Sequence, residues 1–357
     1  MPSSSTSVPE RYSRQLLFPG IGESGQERLS AAHVALVGCG ATGAAAAGLL
    51  ARAGIGTLTL IDRDFVEESN LQRQVLFDEA DARDALPKAE AARRKIALFN
   101  SDVTVHAHVA DLTPGNIHQL LAGAVIILDA TDNFETRYLI NDYAVEQGKP
   151  WIYSAAVAAY AVSMNIIPGE TACLACIFPE PPSGTVETCD TAGILNTAVN
   201  FAASIAVTEA LKFLTGSQAR AGSQLPAGPG LPLTMRRTLL SCDLWNNEWS
   251  EVSAATPDPA CEVCAARNFR HLRGEGRPHI TLCGRNSVQI HEHHRPVDLA
   301  ALEARLRPHG QVRFNQLLLR FTRGEHTLTV FADGRAIVQG TTDAALARSL
   351  YARFIGS

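Results

Sequence analysis

Residues 33–64, HVALVGCGATGAAAAGLLARAGIGTLTLIDRD, constrain the chain more than any other part of it. An apolar run ends in Gly38-Cys39-Gly40-Ala41-Thr42-Gly43, an alanine-rich helical stretch follows, and a second apolar run at 57–61 closes on Asp62. The pattern predicts strand, glycine turn, helix and parallel strand, the opening unit of a doubly wound, mostly parallel α/β sheet of Rossmann type. Ligands of such sheets sit beyond the carboxyl ends of the strands. Small residues let the backbone approach a phosphate, the helix N-terminus offers free N–H groups, and an acid about 20 residues on can reach ribose hydroxyls. Gly38, Gly40, Gly43 and Asp62 are therefore expected to bind a nucleotide. The motif does not say which one, and NAD is its usual occupant.

The alternation continues with a helix at 88–99, a strand at 103–107, a short helix at 115–122 and a buried strand at 124–128 that runs into Asp129-Ala130-Thr131-Asp132-Asn133. After Pro150 come two strands flanking Ala158-Ala159, a long apolar helix at 196–214 stopped by Gly216, a Gly/Pro/Ser-rich loop at 217–232, and strands at 238–243 and 248–253. From 278 the vocabulary changes to a small α+β domain. It has strands at 279–282, 287–291, 312–322, 327–331 and 336–339, an Asp333-Gly334 turn, and helices at 298–306 and 343–354. The division expected is a disordered tail at 1–10, a nucleotide-binding domain at 11–268, and the small domain at 278–357.

Composition narrows the partners. A net charge of −5 supplies no broad basic field for nucleic acid or an anionic membrane. The most apolar windows, 151–168 and 198–214, are interrupted by polar residues, so neither is expected to span a membrane, and the first ten residues lack a leader pattern. The cytoplasm is the expected address. Four of the eight cysteines form Cys173-x-x-Cys176 and Cys261-x-x-Cys264, a paired spacing that suits tetrahedral structural Zn²⁺. The 84 residues between the pairs weaken a local argument, and redox pairs remain an alternative.

The segment that follows Asp62 argues for a triphosphate. A dinucleotide's pyrophosphate is neutralised largely by backbone dipoles, whereas a triphosphate undergoing substitution needs cationic side chains and a carboxylate to hold a metal. Arg73, Lys88 and Asp132 supply that set.

RYSRQ at 11–15, the glycine motif, LIDRDFVEESNLQRQ at 60–74, PKAEA at 87–91, LDATDN at 128–133, CLAC, TCDTAGIL at 188–195 and CEVC occur in this order. From about residue 10 to 265 the chain resembles the ThiF/MoeB/HesA adenylyltransferases, bacterial relatives of ubiquitin-activating enzymes. The resemblance implies ATP as substrate, with Gly40 and Gly43 bordering it, Asp62 on its ribose, and Asn70, Arg73 and Lys88 on its phosphates. Asp132 would hold Mg²⁺, and Asp64, Gln74 and Asn133 would line the same site. Arg14 would reach across a homodimer interface into the partner's phosphate site. The two cysteine pairs would form one zinc site remote from ATP, and Cys189 would be a candidate for a covalent acyl link. The implied partner is a small ubiquitin-fold sulfur carrier ending in Gly-Gly, of the thiamin or molybdenum cofactor route, with a cysteine desulfurase or another sulfur donor acting afterwards. A nicotinamide-dependent oxidoreductase and a non-catalytic nucleotide and zinc scaffold are the competing readings. Cys283 opens no sulfurtransferase loop, so the small C-terminal domain is expected to dock the carrier or the sulfur donor.

Overall fold

The strand–turn–helix–strand pattern at 33–64 folds as read: β1 (His33–Val37) and β2 (Thr57–Ile61) pair in parallel, joined by the helix Ala41–Ala53, which Gly54 ends in the left-handed region at φ 83°. The computed structural model describes residues 10–180, 192–216, 235–275, 281–282, 287–290, 296–315, 317–332 and 334–356. β3 (Thr104–His108), β4 (Ile126–Asp129) and β5 (Trp151–Val157) extend the parallel sheet. β6 (Tyr160–Ile166), β7 (Thr238–Asp243) and β8 (Glu248–Ser253) add antiparallel strands, giving the order β3-β2-β1-β4-β5-β6-β7-β8. The chain crosses the sheet between β1 and β4. Carboxyl ends diverge at such a switch point and leave a crevice, and the glycine turn and residues 129–133 both lie there.

Apolar layers cover both faces of this sheet. Leu36, Leu58, Ile96 and Leu128 lie in one, and Ile127, Tyr143, Trp151 and Ile166 in the other. The helix Asn196–Thr215 is long and apolar enough to cross a membrane by length and composition. In the fold it packs on the helix Ala41–Ala53 and on β5 and β6, and its buried Ala198, Ala202, Ala206 and Ala210 leave room for close approach. A helix absent from the sequence reading, Phe134–Gln147, begins at Asn133, whose Oδ1 accepts the Thr136 N–H at 2.8 Å, and ends at left-handed Gly148. Its buried Arg137, Asn141 and Asp142 break the apolar periodicity that would have shown it. Glu10, expected in the tail, opens a 3-10 turn, Glu10–Tyr12.

The C-terminal strands β9 (Thr281–Leu282), β10 (Ser287–Ile290), β11 (Gln311–Phe314), β12 (Leu318–Arg323), β13 (His326–Phe331) and β14 (Ala336–Gln339) form a second sheet, ordered β11-β12-β13-β14-β10-β9. The single strand expected at 312–322 is in fact two, paired antiparallel with Val312 opposite Phe321. Asn315 causes the break: its Oδ1 accepts from the N–H groups of Leu317 and Leu318 and turns the chain. Helices Leu299–Leu306 and Ala344–Phe354 pack on one face of this sheet. Leu318, Phe331 and Ile337, from the other face, pack against Phe65, Ala85 and Val109 of the first sheet's loops. The loop expected at 217–232 lies outside the described residues.

Candidate nucleotide site and cysteine centre

The three motif glycines do different work. Gly38 adopts φ +90°, and a Cβ there would lie 2.6 Å from the Ala130 carbonyl oxygen. A Cβ on Gly43 would lie 2.0 Å from the Gly38 oxygen, so this pair closes the turn against β4. Gly40 faces open space, with nothing within 4 Å of the position its Cβ would take. The turn is thus rigid on the protein side and bare on the side a phosphate or ribose would approach.

Asp62 directly follows β2, beneath this turn. Its Oδ2 accepts the Cys39 N–H at 2.6 Å and its Oδ1 the Asp64 N–H at 2.7 Å. Burial raises its carboxyl above the usual carboxylate range, against the pull of Lys88 and of these two N–H groups. Lys88, 2% exposed, places Nζ 3.1 Å from Asp64 Oδ2. Arg63 Nη1 donates to Asp111 Oδ1 at 2.9 Å. Burial alone would lower the Arg63 pKa, but Asp111 foremost, then Asp64 and Asp132, raise it. The Arg63–Asp111 pair has no sequence signal, because Asp111 lies on a loop 48 residues beyond Arg63 with no motif around it.

At the end of β4, Asp129 is wholly buried and holds the loop beyond it. Its Oδ1 accepts from the Thr131 N–H and hydroxyl, and Arg137 Nε donates to Oδ2 at 3.2 Å. Asp132, three residues on, is exposed and accepts no hydrogen bond among the described residues, while its charge bears on both Arg63 and Arg137. It is a free carboxylate at the crevice, the donor type Mg²⁺ takes. Asn133 is occupied as a helix cap.

The structure therefore brings Asp62, Asp64 and Lys88 together, with Arg63 and Asp132 close by in charge. Other expected residues have partners of their own or lie exposed. Asn70 is buried and its Oδ1 accepts the Glu67 N–H at 3.1 Å, so it shapes the 3-10 turn Glu68–Asn70. Arg73 Nη1 donates to the Ser69 carbonyl at 2.8 Å and makes no contact with the Asp64–Lys88 pair among the described residues. Gln74 is buried, and its Oε1 has no partner among them. Arg14 is exposed on the short helix Ser13–Leu16, beside exposed Leu17 and Phe18. Neighbouring Gln15 pins that helix by donating to Gln26 Oε1 at 2.7 Å and to the Ala53 carbonyl. Cys189 lies outside the described residues.

The four cysteines of the two Cys-x-x-Cys pairs converge. Cys173 and Cys261 Sγ are 3.6 Å apart, Cys176 and Cys264 3.4 Å, and Cys173 and Cys176 3.7 Å. All four sulfurs lie within 4.8 Å of one another. A tetrahedral Zn²⁺ with bonds of about 2.3 Å separates its ligands by about 3.8 Å, so the donor set and its spacing suit zinc. The Asp258 N–H donates to Cys176 Sγ, and Asn141 Nδ2 to Cys173 Sγ. The hydrogen bond shared with Cys173 leads in pulling the Cys176 thiol down to about 5.

Comparison with known proteins places this geometry. The profile of the ThiF family matches residues 12–263. The sulfur carrier protein ThiS adenylyltransferase of Bacillus subtilis is 44% identical over 97% of this chain and 99% of its own length. The chain belongs to the ThiF family. Another relative of this ThiF-family chain, the sulfur carrier protein adenylyltransferase of Thermus thermophilus, is 39% identical over 58% of the chain and 78% of its own length. Among solved structures, E. coli MccB with ATP aligns at a TM-score of 0.58 and 25% identity, over 72% of this chain and 75% of its own. Family membership decides against the nicotinamide and scaffold readings. The B. subtilis relative also extends through the C-terminal sheet, whereas the T. thermophilus match covers little more than half the chain.

Proposed function

We propose that this ThiF-family chain uses ATP to adenylate the C-terminal carboxylate of a ubiquitin-fold sulfur carrier ending in Gly-Gly. The observation that carries the reading is the clustering of Asp62, Asp64 and Lys88 beside a glycine turn whose Gly40 is bare, with the Asp132 charge acting on neighbouring Arg63, in a chain 44% identical to a ThiS adenylyltransferase. The ATP in the related MccB structure supports the choice of nucleotide. Because the B. subtilis relative matches nearly end to end, a ThiS-like carrier of the thiamin route is favoured over a molybdenum one.

In this reading the glycine turn and Asp62 seat the nucleoside, and Asn70, Arg73 and Lys88 meet the phosphates. The carrier's carboxylate attacks the α-phosphorus in line, the bond to the bridging oxygen breaks, and pyrophosphate leaves an acyl-adenylate. A carboxylate is already an adequate nucleophile, so positioning and charge neutralisation carry the step. Asp132 would hold Mg²⁺, which supplies positive charge to the leaving phosphates. Arg14 would act across a homodimer interface, which its exposure beside Leu17 and Phe18 permits. Zinc on the four cysteines would tie the segment after β8 to the loop after β6. Cys189 is reserved for a later acyl link, and a cysteine desulfurase or other donor for the sulfur. The cytoplasm, with its ATP and reduced thiols, is the compartment this chemistry suits. Exchange of labelled pyrophosphate into ATP, dependent on a ThiS-like carrier, is the expected result. An absence of exchange by protein that binds ATP would overturn the reading.

A further inference from the structure

The outer face of the C-terminal sheet lies on the loops that carry the ATP-site residues, and the polar contacts across that joint are specific. Asn315 Nδ2 donates to the carbonyls of Asp84 and Ala85, at 2.8 and 3.2 Å. Ala85 is buried and sits at φ +47°, a left-handed conformation that an alanine adopts at a cost, so something must hold it. Immediately beyond, Val66 N–H donates to the Leu86 carbonyl, Phe65 bridges to Pro87, and Lys88 N–H donates to the Asp64 carbonyl. The strained turn gripped by Asn315 is therefore the turn that delivers Lys88. On the other side of the joint, Arg335 Nη2 donates to the Val109 carbonyl at 3.0 Å and Nη1 lies 3.9 Å from Asp111 Oδ2. Asp111 in turn holds Arg63, and Arg63 Nε stands 4.0 Å from Asp64 Oδ1. Charges alternate without a break from Arg335 through Asp111, Arg63 and Asp64 to Lys88, and Phe331, Leu318 and Ile337 pack the apolar part of the joint.

We propose that Asn315 and Arg335 are positioning residues for ATP: the C-terminal sheet is a brace that fixes Lys88 through the Ala85 turn and Arg63–Asp64 through Asp111. The assignment rests on the ATP reading above, yet its consequence is for nucleotide affinity and does not require turnover. Neither residue touches the crevice, so each acts only through the loop it holds. The brace gives this unit a role toward the nucleotide, separate from any docking of the carrier or the sulfur donor.

The test measures ATP affinity of the full-length chain by titration calorimetry, alongside the ATP and carrier KM values of pyrophosphate exchange. Arg335→Ala and Asn315→Ala should each weaken ATP binding about tenfold and raise the KM for ATP, with the carrier KM unchanged. Arg335→Lys, which keeps the charge beside Asp111 and loses the forked donor, should recover part of the loss. Arg335→Ala combined with Asp111→Asn should weaken ATP no further than the more severe single change, because both sever one link. Unaltered ATP affinity in folded Arg335→Ala and Asn315→Ala overturns the proposal, as does a change confined to the carrier KM. If Arg335→Ala fails to fold, Arg335→Lys and Asn315→Ala decide it. Wild-type protein that binds ATP without exchanging pyrophosphate sinks the adenylation reading and leaves the brace to be judged on affinity alone.

Discussion

Lys88 and Asp64 are joined twice, by the 3.1 Å contact of Nζ with Oδ2 and by a 2.8 Å hydrogen bond from the Lys88 N–H to the Asp64 carbonyl. The lysine is almost wholly buried and its ammonium is paired with that carboxylate. Truncating one partner strands the other. Lys88→Met is expected to cost about 2–3 kcal/mol of stability, below the full penalty for a deeply buried pair because the Asp64 side chain keeps 17% exposure. It should also reduce pyrophosphate exchange by about 10²-fold or more. Adding Asp64→Asn should recover much of the stability, seen in urea melts, and none of the exchange.

Asp132 behaves differently because it is exposed and unbonded among the described residues. Asp132→Ala should leave the urea midpoint where it was and lower exchange by about 10²–10³-fold, the scale of one lost electrostatic contact to the reacting phosphates. Raising Mg²⁺ should restore part of the rate. A full rate in Asp132→Ala at ordinary Mg²⁺ would remove the residue from the metal site.

What the sequence showed and what it hid divide along physical lines. The glycine turn, Asp62 and Lys88 were legible because their residue types and spacing are themselves the requirement: Gly38 and Gly43 have no room for a Cβ, and Lys88 opens its helix where the apolar pattern begins. The strands at 238–243 and 248–253 were equally plain. The helix Phe134–Gln147 was not, since Arg137 reaches inward to Asp129 and Asp142 to the backbone of His271, which places polar residues where a periodic pattern needs apolar ones. Its signals were the capping Asn133 and the stop at Gly148, which are short-range and easily passed over. The joint between the sheets was hidden for another reason. Phe65, Ala85, Leu318, Phe331 and Ile337 come from points up to 272 residues apart, and nothing local marks a sheet as apolar on both faces.

The cysteine cluster makes the metal a measurable component. Protein purified without added metal should contain about one Zn²⁺ per chain, and Cys264→Ser should lower that content and the thermal midpoint together. Exchange by whatever fraction stays folded should persist, because the cluster packs on the helix Phe134–Gln147 and not on the glycine turn. Full zinc content in a variant lacking both Cys261 and Cys264 would refute the four-thiolate site.

Asp142 gives stability a dependence on mild acidity. Burial pushes its carboxyl up to about 6, although the backbone N–H groups of His271 and Leu272 oppose the shift. The folded state therefore holds the proton more tightly than the unfolded state, whose ordinary value is 3.8. The group favours folding below about pH 4, and that contribution is lost as pH rises through the folded value, by about 2–3 kcal/mol in all. Asp142→Asn should flatten this part of the stability profile between pH 4 and 6.5 in urea titrations. The same slope in wild type and variant would show that the carboxyl is not the group responsible.

Arg14 offers the sharpest test of dimeric catalysis, because its exposure leaves it idle within its own chain: among the described residues it has no partner. If it serves the facing site, Arg14→Ala and Arg73→Ala proteins are each inactive alone but repair one another when mixed. In a two-fold dimer reshuffled at equal amounts, half the dimers are mixed and one of their two sites carries both arginines, so about a quarter of wild-type exchange should return. Mixing after brief denaturation and refolding checks this directly. A cis-acting Arg14 returns no activity on mixing, because each site then draws both arginines from its own chain and every chain in the mixture lacks one of them.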